Sequence, residues 1–282
     1  MIVVTGASGQ LGRLVIDSLL ARMPAGQIVA AVRNPERVAD LAPLGVQIRQ
    51  ADYNQPDSLL RAFAGADKVL LISSSEVGQR VAQHAAVIAA ARQAQVKLLA
   101  YTSLLHADCS PLGLAAEHQQ TEALLRDSGL PVVLLRNGWY TENYLASIPS
   151  ALEHGVLLGS AGEGRIASAA RADYAEAAAI VLTREQQAGL VYELAGDSAY
   201  TLAELAAEIS RHAGRTIAYQ DLPHAEFQSI LLGAGLPEGL AALLADSDVG
   251  ASQGALFDDS HQLSELLGRP TMSLAALVAA AF

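Results

Sequence analysis

Short apolar runs recur along the first half of the chain, at Ile2 to Thr5, Ile28 to Val32, Val69 to Ser73, Leu98 to Thr102 and Val132 to Leu135. Each has the length of a strand, and none alternates with polar residues. Strands of a parallel sheet read this way because helices cover both of its faces. Val46 to Gln50 is a weaker sixth candidate. Helical stretches separate the runs: in Arg80 to Gln95, Val81, Ala85, Ile88 and Arg92 recur every three or four positions and predict one apolar face. Strand and helix in alternation, joined by right-handed crossovers, predict an α/β fold built on a doubly wound parallel sheet.

After about Leu145 the pattern loosens. Gly155, Gly159, Gly162 and Gly164 crowd a stretch that reads as loop, followed by shorter elements. The expectation is a main domain over residues 1–145 and a smaller α/β carboxyl-terminal lobe over 146–282 that binds substrate, with some segments returning to the main sheet. Within that lobe, Thr201 followed by Glu204 predicts a capping box opening a helix through Arg211.

The first run leads directly into Thr5-Gly6-Ala7-Ser8-Gly9-Gln10-Leu11-Gly12 and then a helical stretch, Arg13 to Arg22. Glycine at 6 permits a tight turn, glycine at 9 lets backbone approach a pyrophosphate, and glycine at 12 allows close helix packing. The free N–H groups and positive dipole end of the helix then face the phosphates. In this context the motif predicts a nicotinamide dinucleotide on a Rossmann fold. A site for NAD usually ends its second strand with an acid that accepts from the ribose 2′-hydroxyl. Here Ala30-Ala31-Val32 ends in Arg33-Asn34, and a guanidinium at that place favours the 2′-phosphate of NADPH. The alternative for Arg33 is a solvated side chain ending a strand. Asp52 fits two roles, an adenine-edge contact or an acid at the start of a helix from Pro56.

Composition narrows the function classes. The chain of 282 residues is 51% hydrophobic and 17% charged, enough to bury a sizeable core. A formal net charge of -11 repels phosphate backbones and anionic lipid, so nucleic acid is not an expected partner. No secretory signal and no run of about twenty apolar residues is present, so we expect a cytoplasmic protein without membrane insertion. Cys109 is the only cysteine, which excludes an intrachain disulfide and Cys-based zinc sites. None of the seven histidines forms H-E-x-x-H, and no metal is expected.

The chemistry of common ketone reductases is missing. They donate a proton from a tyrosine four residues before a lysine, but the only lysines are Lys68 and Lys97, and no tyrosine stands four residues before either. Quinones are less demanding, since hydride delivery to them gives a delocalised phenolate instead of a basic alkoxide. Gly250-Ala251-Ser252-Gln253-Gly254 matches G-x-S-x-G, but it follows polar Asp246-Ser247-Asp248 instead of a buried strand and reads as loop glycines. Neither lysine follows a glycine, so there is no P-loop. His106, Asp108 and Cys109 read as a polar loop above the sheet, because no base and orienting acid can be assigned to the thiol.

Several segments carry a specific resemblance: Thr5 to Gly12, Ala31 to Pro35, Leu71 to Glu76, Tyr101 to Ala107, Leu135 to Tyr144, Tyr192 to Asp197 and Ala245 to Ser252. Together they resemble the NmrA-like atypical short-chain dehydrogenase/reductase family, and within it the bacterial flavin-free NADPH:quinone oxidoreductases of type 2. The resemblance runs nearly end to end. It implies direct hydride transfer from NADPH to a small-molecule quinone, without flavin or metal. It puts Gly6, Ala7, Ser8, Gly9, Gln10 and Leu11 on the pyrophosphate, Arg33 on the 2′-phosphate, and Ser73, Ser74 and Ser75 beside the cofactor. Asn137, Gly138, Trp139, Tyr140, Thr141 and Glu142 would line the nicotinamide end, with Arg171 a further cofactor contact.

Tyr140 and Asn143 are the expected substrate-side residues, at the carboxyl end of a strand where open parallel sheets bind ligands. For Asn143 the plainer role is loop structure. Some relatives carry a lysine near the position of His118, which makes His118 a candidate proton donor beside its plainer role as a helix-surface histidine. The same family holds cofactor-sensing regulators, so a module that binds NADP(H) without turnover is the alternative function. The sequence leaves the oligomeric state, a homodimer included, open.

Overall fold

The structure, a computed structural model, describes residues 1–282. Seven strands form the main sheet: β1 (Ile2–Thr5), β2 (Ile28–Val32), β3 (Gln47–Gln50), β4 (Lys68–Leu71), β5 (Leu98–Leu104), β6 (Val132–Asn137) and β8 (Val191–Leu194). Their order is β3-β2-β1-β4-β5-β6-β8. The pairs from β3 to β6 are parallel, with Val3 opposite both Val29 and Val69. A second sheet pairs β7 (Val156–Gly159) with β9 (Ala218–Asp221), also in parallel. The helices are α1 (Gln10–Leu20), α2 (Pro56–Ala62), α3 (Arg80–Gln93), α4 (Ala115–Asp127), α5 (Thr141–Leu145), α6 (Ile148–His154) and α7 (Arg171–Thr183). They continue as α8 (Leu202–Ala213), α9 (His224–Gly233), α10 (Glu238–Ser252), α11 (Gln262–Leu267) and α12 (Leu274–Ala280).

The chain divides into two compact units. One comprises Met1–Ala107, Ala116–Asn137 and Arg171–Tyr192; the other comprises Asp108–Ala115, Gly138–Ala170 and Glu193–Phe282. In the first unit β1, β2 and β5 are buried along their whole length, as their unbroken apolar runs predict. The weak signal at β3 has a physical reason: it is the edge strand, none of its residues is fully buried, and Gln-Ile-Arg-Gln suits a half-solvated edge.

Three readings need correction. The buried face of α3 is Arg80, Gln83, His84, Val87, Ile88, Ala90 and Ala91, one step away from the predicted Val81, Ala85, Ile88, Arg92 stripe, because polar side chains are buried there with partners. The glycine-rich stretch from 155 is not all loop. Gly155 ends α6 in the left-handed region at φ 74° and β7 follows at once; a Cβ at Gly159 would lie 2.6 Å from Leu202 Cδ1. Gly250 and Ser252 belong to the end of α10, where a Cβ at Gly250 would lie 2.2 Å from Leu112 Cδ2. The string is therefore a packed helix end, with no strand in front of it. The capping box forms as predicted: Thr201 Oγ1 accepts from Glu204 N at 3.2 Å and Glu204 Oε2 accepts from Thr201 N at 2.8 Å.

Candidate functional site

The phosphate loop follows β1 and turns at Gly6, whose φ of 59° is cheap only for glycine. Gly9 N donates to Gly6 O at 2.9 Å, and Gly9 is the N-cap of α1, where it offers no capping side chain. The first turn of α1 carries no acid. A Cβ at Gly12 would lie 2.4 Å from Gly6 O and 2.8 Å from Ala7 Cα, so the loop folds onto the helix only because position 12 is bare. These are the properties of a cradle for a diphosphate: amides pointing out, a positive helix end and no competing carboxylate.

The loop is braced from below. Thr5 Oγ1 accepts from Ile72 N at 3.1 Å and lies 2.5 Å from the Tyr53 hydroxyl, which donates to Ile72 O at 2.9 Å. The ends of β1, β3 and β4 are thereby locked together. Asp52, beside Tyr53, accepts from Asn54 N at 2.9 Å and from Gln55 Nε2 at 3.3 Å, which builds the turn into α2 and leaves both of its expected roles open.

Ser73, Ser74 and Ser75 leave the carboxyl end of β4 and are held by buried side chains that the sequence reading did not single out. Thr102 Oγ1 accepts from Ser73 N at 2.9 Å. His84 Nε2 accepts from Ser74 N at 2.9 Å, so the ring proton sits on Nδ1 and is donated to Thr121 Oγ1, also at 2.9 Å. Burial, helped by the charge of Arg80, pushes the His84 pKa down to about 3 and keeps the ring neutral. Arg80, itself buried, donates to Ser74 O at 2.8 Å and pairs with Glu117, which accepts from Gly78 N at 2.9 Å. A polar stripe at 80, 83 and 84, three and four residues apart on one helix, was the sequence signal available for this brace.

Arg33 follows β2 and is 68% exposed, with NH1 donating to Glu76 Oε1 at 2.8 Å. Its guanidinium is therefore beside the β4–α3 loop. Gln83 Nε2 donates to the other Glu76 oxygen at 2.7 Å.

Asn137 ends β6, is buried, and its Oδ1 has no hydrogen-bond partner. A buried acceptor without a donor is costly, and a carboxamide N–H such as that of nicotinamide would satisfy it. With the uncapped amino end of α1, this is the feature by which the residues present fit a nicotinamide dinucleotide. The next residues belong to the second unit and are pinned to one segment. Gly138 N donates to Leu194 O at 2.7 Å, Ala169 N to Trp139 O at 3.1 Å, and Thr141 N to Ala169 O at 2.9 Å. Thr141 Oγ1, Ser168 Oγ and the Tyr200 hydroxyl form a buried chain at 2.8 and 2.6 Å. Tyr140 is the N-cap residue of α5, and Asn143 N donates to Tyr140 O at 3.0 Å in its first turn, with Glu142 between them. Arg171 is the first residue of α7.

His118 is not a helix-surface histidine. It is 4% exposed, and its Nδ1 lies 2.7 Å from the Tyr101 hydroxyl. Burial, with Arg80 and His84 adding to it, pushes its pKa down to about 3, so at neutral pH the ring is not an imidazolium. His106 takes φ 50° in the turn after β5, and Cys109 is exposed. No group of three or more His, Cys, Asp or Glu side chains is placed to hold a metal ion.

In the first unit, Gly6–Leu11, Arg33, Ser73–Ser75 and Asn137 thus follow or end strands of one sheet at their carboxyl ends, where open parallel sheets bind ligands. A family model described as NAD(P)H-binding matches residues 6–185. The chain is 60% identical to Quinone oxidoreductase 2 of Escherichia coli (strain K12) over 282 residues, covering 100% of this chain and 99% of that one. The crystal structure of an NADPH-dependent quinone oxidoreductase from Escherichia coli complexed with NADPH superposes with a TM-score of 0.97 at 60% identity, covering 99% of both chains. That of Citrobacter sp. triphenylmethane reductase complexed with NADP(H) gives 0.96 at 39% identity, covering 100% of both.

Proposed function

The chain belongs to the NAD(P)H-binding family, and from that premise we propose that it works as an NADPH-dependent quinone oxidoreductase. The observation that carries this is the 60% identity to a quinone oxidoreductase across the whole chain, through the second unit as well as the first. That relative is an oxidoreductase, so a regulator that binds NADP(H) without turnover is the less supported alternative.

NADPH supplies a hydride, and a quinone that accepts it and one proton becomes a hydroquinone. The part played by the chain is positional. Gly6 to Leu11 bind the pyrophosphate with backbone amides, Arg33 meets the 2′-phosphate, Ser73 to Ser75 run beside the cofactor, and Arg171 is a further contact. Asn137 accepts from the nicotinamide carboxamide, and Gly138 to Glu142 line that end. Tyr140 and Asn143 face the substrate, where the Asn143 carboxamide donates to the quinone oxygen on which charge develops. A neutral His118 is not given the proton-donor role. No helix is long and apolar enough to cross a membrane; a cytoplasmic setting is part of the proposal.

The test is a cofactor panel. Purified protein with NADPH and a benzoquinone, no flavin added, oxidises the NADPH, and added flavin does not raise the rate. Silence with several quinones, or activity only after flavin is supplied, overturns the reading.

A further inference from the structure

The acid that a site for NAD places at the end of its second strand is missing from β2, but the fold supplies one from elsewhere. Glu76, on the loop between β4 and α3, sits with Oε1 at 2.8 Å from Arg33 NH1. We propose that Glu76 is a specificity-determining residue for the dinucleotide: it engages Arg33, weakens the grip on a 2′-phosphate, and keeps the unphosphorylated dinucleotide usable. This rests on the assignment of Arg33 to the 2′-phosphate made above.

Two observations carry it. Glu76 is 40% exposed, yet its carboxylate is fixed: Gln83, only 3% exposed, donates to Oε2 at 2.7 Å, and Glu76 N donates to Ser74 Oγ at 3.1 Å. The carboxylate therefore faces the guanidinium by construction. A phosphate arriving at Arg33 meets a negative charge one hydrogen bond away, whereas a ribose hydroxyl meets an acceptor. In Glu76→Gln the carboxamide oxygen still accepts from Gln83 Nε2, so the charge is removed without emptying the site.

The experiment is a calorimetric titration with 2′,5′-ADP and with 5′-AMP, fragments that differ in the 2′-phosphate and need no turnover. The proteins are the wild type, Glu76→Gln, Arg33→Ala and the double variant, with melting temperatures confirming that each is folded. Glu76→Gln is expected to tighten 2′,5′-ADP about three- to five-fold, the range for exposed charges, and to leave 5′-AMP unchanged or weaker. The gain shrinks in the Arg33→Ala background, where only the direct repulsion between carboxylate and phosphate is left to relieve. If the ratio of the two affinities is unmoved or falls in Glu76→Gln while Arg33→Ala still loses 2′,5′-ADP selectively, Glu76 is a bystander and the inference is overturned. If Arg33→Ala weakens both fragments alike, the assignment of Arg33 is what fails, and the role of Glu76 falls with it.

Discussion

Asn143 stands in the first turn of α5, where its backbone N–H is already bonded to Tyr140 O. The main-chain bond does not need the side chain, and alanine is a better helix former than asparagine, so a melting curve of Asn143→Ala beside the wild type reads any structural share of the carboxamide separately. If the carboxamide donates to a quinone oxygen, removing it costs a charge-stabilising donor in the transition state. Turnover then falls about ten- to a hundred-fold while NADPH affinity changes little. Single-turnover kinetics together with an NADPH titration read the two separately. Unchanged turnover, or a loss confined to NADPH binding, would remove Asn143 from the substrate side. His118 shows the opposite case: its place near a lysine of some relatives made it a donor candidate, and burial against Tyr101 leaves its ring neutral.

At the scale of elements, what the sequence made legible depended on whether burial followed hydrophobicity. β1, β2 and β5 are buried throughout, β4 and β6 for the most part, and their apolar runs were readable as strands; β6 extends past the readable run through Arg136 and Asn137. Arg136 is buried because it makes a two-pronged pair with Glu122 at 3.0 and 2.7 Å, a partner ten and more positions away. The wrong face of α3 has the same origin: Arg80, Gln83 and His84 are buried to hold the serine loop, and periodicity cannot see a partner that only the fold supplies. Glu76 was invisible for that reason too. The four-residue strands β7 and β9 of the second sheet are too short to show a period against glycine-rich flanks.

The phosphate loop is the element where sequence and structure agree most closely, and it yields a sharp prediction. Gly12→Ala drives a Cβ into backbone atoms of Gly6 and Ala7, which cannot rotate away. The variant loses on the order of 1–3 kcal/mol of stability and the stabilisation by NADP+ shrinks with it. Gly26→Ala, with nothing within 4 Å of the added Cβ, changes neither. Urea melts with and without NADP+ check this; a Gly12→Ala protein as stable and as responsive as the wild type would mean that the loop does not need the close approach.

At the scale of the whole molecule, an acidic chain with formal charge -11 buries several of its carboxyl groups, Asp248 among them. Asp248 on α10 is 3% exposed; its Oδ2 accepts from Ser160 N at 2.9 Å and its Oδ1 from the Tyr144 hydroxyl at 3.2 Å. Burial raises its pKa to about 6; the two hydrogen bonds oppose the rise and the charge of Asp221 adds to it. The folded chain thus holds this proton more tightly than the unfolded chain does. Stability from it is fully present below the unfolded value, near 4, and declines as pH rises through about 6, after which it is flat. Asp67 works with the opposite sign, because Lys97 and the amino terminus hold its pKa down to about 2, and its contribution is lost only as pH falls toward 2, below the window that matters here. In Asp248→Asn the carboxamide still accepts from Ser160 N and can donate to the Tyr144 oxygen, but it carries no charge to desolvate. Relative to the wild type, the variant therefore gains on the order of 2 kcal/mol between pH 4 and pH 7, several degrees in melting temperature. Paired melts across that range measure the difference directly, and a gap that stays constant with pH would show that Asp248 ionises in the folded chain as easily as in the unfolded one.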